Sequence, residues 1–290
     1  MAGKGGALLR STAKQAGLTW LQYRRALRPP RERRVLLLPP AAESGSLGDE
    51  AMVGAVAGAL GASGTAVDML VPDGRTPWPY VGRVERQVEG FDLQSALGTA
   101  ERFRLHELMS RYDGFYCLGA DVMDGRYNLL QSVRMLNLLA EADRLGLDAR
   151  LLGFSWSEEP HPRVIEAFQA LSPGVRVFVR DPVSHRRFTA QVSTRATPVA
   201  DVAFLLEPEG DSPRIAETVD WIRQRRSEGG LLLGVNISGH AFGLRDEETL
   251  AQVTTGVAEA IGAILGQFPG LCVLAMPHDR RDVPGCGSDA

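Results

Sequence analysis

Side chains able to move protons or hold anions recur in this chain directly after short apolar runs. His278 and Asp279 follow the run Leu271–Met276, so an imidazole that titrates near neutral pH stands beside a carboxylate. Arg180 and Asp181 close the run that starts at Val175, putting a planar guanidinium next to an acid. After Val35–Leu38 comes Ser44-Gly45-Ser46-Leu47-Gly48-Asp49-Glu50, in which Ser46 and Gly48 offer backbone N–H groups near a helix start and Asp49 and Glu50 supply carboxylates. Gly119 and Asp121 lie just past Phe115–Leu118, and Asn236 just past Leu231–Val235. A histidine, several acids and an arginine are the groups that general acid–base chemistry on an anionic substrate requires. Each also has a structural reading. Asp49 and Asp181 suit helix N-caps, Arg180 and Asp181 suit an ion pair, His278 suits a packing or capping role, and Asp121 and Asn236 suit turns. His106, His161, His185 and His240 sit in polar or helical contexts and read as surface residues.

The elements that would hold these residues alternate in βαβ fashion from Arg34 onward, which argues for a parallel sheet. Strands are expected at Val35–Leu38, Val67–Val71, Gly114–Gly119, Ala149–Phe154, Val175–Arg180 and, strand-like, Val199–Leu205. Helical spacing of apolar residues marks Asp49–Leu60, Arg102–Arg111, Leu129–Leu145, Pro162–Leu171 and Asp181–Thr189. Arg75–Gly98 is polar with weak periodicity and reads as irregular. Composition breaks at Glu207–Ser212, a charged helix Ile215–Arg226 follows, and the pattern restarts with strand Gly230–Asn236, helix Asp246–Phe268 and strand Leu271–Met276. Loops at the C-terminal ends of parallel strands are where an open α/β sheet binds ligands, and the candidate residues cluster there. The divisions implied are an N-terminal extension over 1–34, a Rossmann-like domain over 35–207, a linker with a charged helix over 208–229, and the start of a second domain over 230–290.

Composition narrows the function classes. Hydrophobic residues make up 44% and charged residues 23% of the 290, the balance of a globular chain. Apolar runs such as Val35–Leu38, Phe115–Leu118 and Leu231–Val235 span four to five residues, where a membrane-spanning helix needs about twenty. Cys117, Cys272 and Cys286 are few and widely spaced, which suits reduced thiols and a cytoplasmic protein; neither CxxC nor HExxH occurs, so a structural zinc site has no support, and the sequence leaves a divalent-metal requirement open. Residues 1–34 carry nine Lys or Arg against the single Glu32, a net +8, while the other 256 residues carry −11 within the chain's total of −3. Leu9, Ala13, Ala16, Trp20, Tyr23 and Leu27 fall on one helical stripe, and Pro29-Pro30 ends that helix. The stripe fits either an anionic membrane surface, met at the inner face by residues 1–34 as a peripheral contact, or the protein's own domain with the arginines facing water. Nucleic acid is a poor partner for a body at −11, and the first loop lacks the G-x-G-x-x-G of a dinucleotide site.

Taken in order, these loops resemble those of the polysaccharide pyruvyl transferase family. Gly48-Asp49-Glu50-Ala51 resembles the family's N-x-G-D-E-A loop, Gly119-Ala120-Asp121 its glycine-rich turn with an acid, Leu152-Gly153-Phe154-Ser155 its next strand end, and Arg180-Asp181-Pro182-Val183-Ser184 its R-D-x-x-S motif. Asp201-Val202-Ala203-Phe204 resembles D-P-A-F, while Gly234-Val235-Asn236 and Met276-Pro277-His278-Asp279, with Asp282, resemble the two opening strands of the second domain. The resemblance implies a glycosyltransferase-B-like pair of Rossmann-like domains, the first complete and the second only partly present, as in a C-terminally truncated member. The R-x-H motif that family members carry further on is then outside these residues. The implied reaction transfers pyruvate from phosphoenolpyruvate, a donor substrate and not a cofactor, as a ketal onto a sugar or lipid-linked glycan acceptor, in exopolysaccharide or cell-surface glycan assembly. In that chemistry His278 would act as general acid or oxyanion partner and Asp49 would hold or deprotonate the acceptor. Ser46, Gly48, Glu50, Gly119, Asp121, Arg180, Asn236 and Asp279 would line the substrate site. Two other readings stay open: a nucleotide-sugar glycosyltransferase of the same architecture, and a non-catalytic fragment docking on a glycan-assembly complex.

Overall fold

The computed structural model describes residues 17–25, 27–28, 31–41, 43–71, 78, 84–89, 98–207, 213–236, 247–277 and 279. Two compact units divide the chain: Met1–Ser44 with Asp49–Leu206, and Gly45–Gly48 with Glu207–Ala290.

The first unit is built on a seven-stranded, all-parallel sheet. Its strands are β1 (Arg33–Leu38), β2 (Thr65–Val71), β3 (Arg86–Glu89), β4 (Gly114–Ala120), β5 (Asp148–Phe154), β6 (Arg176–Val179) and β7 (Ala196–Pro198), in the order β3-β2-β1-β4-β5-β6-β7. This is a Rossmann-like order, with the direction of winding reversing between β1 and β4. Continuous Val and Leu runs form the central strands because both faces are covered. Alternate residues serve opposite sides. Leu36, Leu38, Phe115 and Cys117 join one apolar core, whereas Val35, Leu37, Tyr116 and Leu118 join the other.

Helix α2 (Leu47–Ala62) packs Met52, Val53 and Val56 into the second core. The first core takes α3 (Thr99–Met109), α4 (Leu129–Arg144), α5 (Pro162–Gln169) and α6 (Pro182–Gln191). Within it Phe154, Trp156, Phe168 and Phe188 form an aromatic cluster with ring centroids 5.0–6.1 Å apart, each such contact adding about 0.5–1.5 kcal/mol beyond area burial.

Several expectations change here. Arg86–Glu89 lies in the stretch read as irregular, yet it pairs in parallel with β2, with Asp68 opposite Arg86. Val199–Leu205 is not a strand: β7 ends at Pro198, and Val202–Leu205 forms a 3-10 turn because the Asp201 carboxylate accepts the Ala203 N–H at 2.9 Å. Helix α2 starts at Leu47, so Asp49 is inside its first turn and not its N-cap. His106 is buried, not at the surface, with Nε2 2.9 Å from Glu141; His161, which caps α5 by accepting the Arg163 N–H at 3.2 Å, and His185 are half-buried, and His240 lies outside the described residues. Residues 17–25 form a helix, α1, that reaches the first core through Leu18 and Leu21, while Trp20, Tyr23 and Leu27 from the expected stripe are exposed.

The second unit contains α7 (Pro213–Ser227), strands β8 (Leu231–Val235) and β9 (Leu271–Ala275), paired in parallel, and the connecting helix α8 (Glu247–Gln267). Helix α7, placed in a linker by composition, packs on β8. Residues Glu248–Gln267 have the length and mean hydropathy, 1.2, to cross a membrane, which run length missed because Gln, Thr and Glu interrupt the apolar residues. Leu250, Val253, Val257 and Ile261 are half-buried, at the three-and-four spacing of an amphipathic face.

Candidate functional site

In an open α/β sheet a reversal such as that between β1 and β4 is where ligands bind, at the C-terminal ends of the strands, and the chain is strained there. Ala120, the last residue of β4, has φ 44°, the left-handed region that costs an L-residue energy, and among the described residues no other non-glycine adopts it. Neighbouring hydrogen bonds hold it: the Ser155 N–H donates to the Ala120 carbonyl at 2.7 Å and the Val122 N–H to the Gly119 carbonyl at 3.1 Å. Gly119 must stay small, since a Cβ there would come 2.6 Å from the Phe154 Cβ. The turn after it is pinned to α4 by Ser132, whose hydroxyl donates to the Val122 carbonyl at 2.6 Å, and Gln131 of the same helix donates to the Pro40 carbonyl in the loop after β1 at 2.5 Å. The loop after β1 and the turn after β4 are thus tied to one helix. Asp121 is exposed on this turn, and its charge raises the pKa of the neighbouring Tyr127 phenol, with partial burial and a hydrogen bond adding to the effect.

Next along the same edge is a fixed guanidinium. Arg180, at the end of β6, donates from Nε to the Ser155 hydroxyl at 2.7 Å and from Nη1 to Asp201 at 2.9 Å. The expected partner Asp181 is engaged elsewhere: it caps α6, accepting from the Val183 and Ser184 N–H groups at 2.9 and 2.8 Å. Partial burial pushes the Asp181 pKa up, but the bonds from Ser184 and Val183 outweigh it and leave it below the ordinary carboxylate value. Ser155 is held in place by its neighbour Trp156, whose backbone N–H donates to Ser184 Oγ and whose indole N–H donates to Gln191 Oε1, both at 2.9 Å. Two donors of Arg180 are spoken for, out of the five a guanidinium carries. Its side chain keeps 23% of its exposure. Gly153, at φ +43° beside a register shift in β5, lets the strand bend under Arg180, whose Cβ lies 3.7 Å from where a side chain at Gly153 would start. On the sheet face below, Leu152, Phe178 and Val202 line an apolar pocket of about 350 Å³ with Asp201 at its rim.

No family model, curated protein or solved structure matches this chain. Its function is therefore read from the site itself.

The sequence candidates fall into separate groups. Gly119, Asp121 and Arg180 share the C-terminal edge of the sheet through the Ala120–Ser155–Arg180 bonds just described. Asp49 and Glu50 lie in the first turn of α2, Glu50 buried and Asp49 partly so. In the second unit, Ser46 and Asp279 pair in an isolated antiparallel bridge, with Asp279 buried and Gly48 two residues along. Asn236 is exposed just past β8. His278 and Asp282 lie outside the described residues. Sequence reasoning did not select Ser155, Asp201 or Tyr127. Ser155 stood at a strand end and Asp201 within the strand-like run Val199–Leu205, both inside motifs already noticed, which was the available signal. Among the described residues no three His, Cys, Asp or Glu side chains gather as a metal centre.

The arrangement suits an anionic ligand with hydroxyl groups. Arg180 offers N–H groups pre-oriented by Ser155 and Asp201, and Asp121 offers an acceptor or base on the adjoining turn.

Proposed function

We propose that this chain is a polysaccharide pyruvyl transferase-like protein that moves the enolpyruvyl unit of phosphoenolpyruvate onto two hydroxyls of a sugar. The observation carrying this reading is the Arg180 guanidinium, fixed at the C-terminal edge of the sheet with unspent donors and an acidic turn beside it. The donor is a phosphate and a carboxylate on one small carbon skeleton, and a planar, pre-oriented guanidinium is the side chain that best matches either group. In the reaction two C–O bonds form to the former enol carbon and the C–O bond to phosphate breaks. Of the two hydroxyl protons, one ends on the methylene carbon, making the methyl group, and one leaves with phosphate. Arg180 would hold the donor's anionic end, and Asp121 would draw a proton from an acceptor hydroxyl.

In this reading the second unit is the opening of a second Rossmann-like domain, giving a glycosyltransferase-B-like pair. Its exposed Leu231, Ile264, Leu265, Phe268 and Met276 support that, because a parallel sheet is normally covered by helices on both faces.

The test is phosphate release from phosphoenolpyruvate in the presence of a panel of sugar acceptors, run beside the same panel with nucleotide sugars. Acceptor-dependent phosphate release that falls by about a hundredfold in Arg180→Gln is expected. Turnover of a nucleotide sugar with none of phosphoenolpyruvate would reassign the chain to glycosyl transfer.

A further inference from the structure

Among the described residues, the side chains that bind helix α1 to the first unit's core and carbonyls lie on one of its sides. Leu18 and Leu21 enter the core, the Gln22 side-chain amide donates to the Arg144 carbonyl at 2.5 Å, and Arg25 donates to the carbonyls of Gly146 and Asp113. Its other side carries Trp20, Tyr23 and Leu27, at 50%, 64% and 65% exposure, on positions i, i+3 and i+7 of one face. Large apolar side chains held this open on a docked helix are a surface awaiting a cover. The Arg24 guanidinium stacks over the Trp20 ring at 4.7 Å.

Where α1 ends, the surface turns strongly basic. A recess of about 730 Å³ at the N-terminal edge of the sheet is lined by Arg25, Arg28, Arg31, Arg33 and Arg176, against Asp113 and Asp148 alone. Both acids are already engaged, Asp148 by Arg33, Arg150 and Arg176, and Asp113 by the Arg34 backbone N–H and by Arg31 at 3.7 Å. Two members keep an unsatisfied donor among the described residues, Arg28 at its buried Nη1 and Arg25 at its buried Nε, and burial followed by the charge of Arg31 lowers the Arg28 pKa. The recess thus has positive charge in excess of what the protein supplies to neutralise it.

We infer that α1 and this recess together form a docking surface for an anionic lipid bilayer, with Trp20, Tyr23 and Leu27 entering the headgroup region and the arginines meeting lipid phosphates. Two features select a bilayer over a soluble anion. Exposed Trp and Tyr beside arginines are the chemistry of the membrane interface, where the ring sits among headgroups and the cation pairs with phosphate. Charge is also polarised along the chain, +8 in residues 1–34 against −11 in the remainder, so an anionic surface attracts this end and repels the body. The inference is independent of the transfer reaction.

Vesicle flotation of the full chain tests it, using phosphatidylcholine alone and phosphatidylcholine mixed with phosphatidylglycerol. Binding to the mixed vesicles, weakened by salt and absent from the neutral ones, is expected. The triple variant Trp20→Ala/Tyr23→Ala/Leu27→Ala and the double variant Arg24→Gln/Arg28→Gln should each bind on the order of tenfold or more weakly. The triple variant removes exposed side chains, so an unchanged circular dichroism melt shows that it remains folded. Equal flotation of wild type and the triple variant, equal binding to neutral vesicles, or no binding beside a concentration-dependent dimer that the triple variant abolishes would each overturn it; the last would assign the face to a second copy of this chain.

Discussion

The two ends of the parallel sheet both carry arginines and aspartates, yet they use them in opposite ways. At the N-terminal end the carboxylates are outnumbered. Asp68, fully buried in β2, receives Arg34 at 3.0 Å, Arg86 at 2.7 Å and the Tyr112 hydroxyl at 2.9 Å. Asp148 receives Arg33 at 2.7 Å, Arg150 at 2.8 Å, the Tyr116 hydroxyl at 2.9 Å, and Arg176. At the C-terminal end the Arg180 guanidinium is held by one serine and one aspartate, two bonds for the five donors it carries. A saturated carboxylate ties strands together, and its arginines point their surplus charge outward. An unsaturated guanidinium beside a strained turn is arranged for a ligand.

The comparison breaks most readily at Asp68. Replacing it with Ala leaves the Arg34 cation and the Tyr112 hydroxyl without their buried partner, and urea denaturation should show a loss of about 3–5 kcal/mol. Acid should reproduce part of this. Burial pushes both carboxylates up, but the bonds from Arg86 and Tyr112 to Asp68, and from Arg150, Arg176 and Tyr116 to Asp148, leave both below the ordinary value. Near pH 4 the unfolded chain then binds more protons than the folded one, so stability is full above an ordinary carboxylate pKa of about 3.9 and falls as pH drops through the lower folded values. Denaturation midpoints measured from pH 6 down to pH 3 should fall less steeply in Asp68→Asn than in wild type; parallel curves would remove Asp68 from the account. Smaller again is the cap at the functional end, where Asp181→Ala should cost about 1 kcal/mol of stability by thermal melting. Smallest is Asp121→Asn, an exposed change expected to stay within about 0.5 kcal/mol while lowering phosphate release. Stability loss concentrated at Asp121 instead would reverse the assignment of the two ends.

Much of this frame was legible in the sequence, because buried parallel strands announce themselves as apolar runs and the candidate residues sit where those runs stop. Val35–Leu38 and Phe115–Leu118 appear as strands at their expected places. Edge strand β3 was hidden, since Arg86–Glu89 is short, polar and mostly exposed, and only its pairing with β2 makes it a strand. Val199–Leu205 misled in the other direction: an apolar run gives no warning that Asp201 will fold it into a turn. The charge clusters were out of reach for a different reason. Arg33, Asp148 and Arg176 each open a strand, but their meeting depends on the order of strands across the sheet. The same holds for Ser155, Arg180 and Asp201, which the chain brings together from three separate elements. On α1 the periodicity was visible but its direction was not, because among the described residues it is Leu18 and Leu21, off the expected stripe, that reach the core.

The difference between the ends is tested most directly by calorimetric titration of phosphoenolpyruvate into the full chain and two variants, Arg180→Gln and Arg28→Gln. Both arginines belong to the first unit, one at each end of its sheet. The account predicts that Arg180→Gln weakens binding on the order of tenfold or more while Arg28→Gln binds as wild type does. Loss of binding in Arg28→Gln with Arg180→Gln unaffected would contradict it, placing the small-anion site at the N-terminal end.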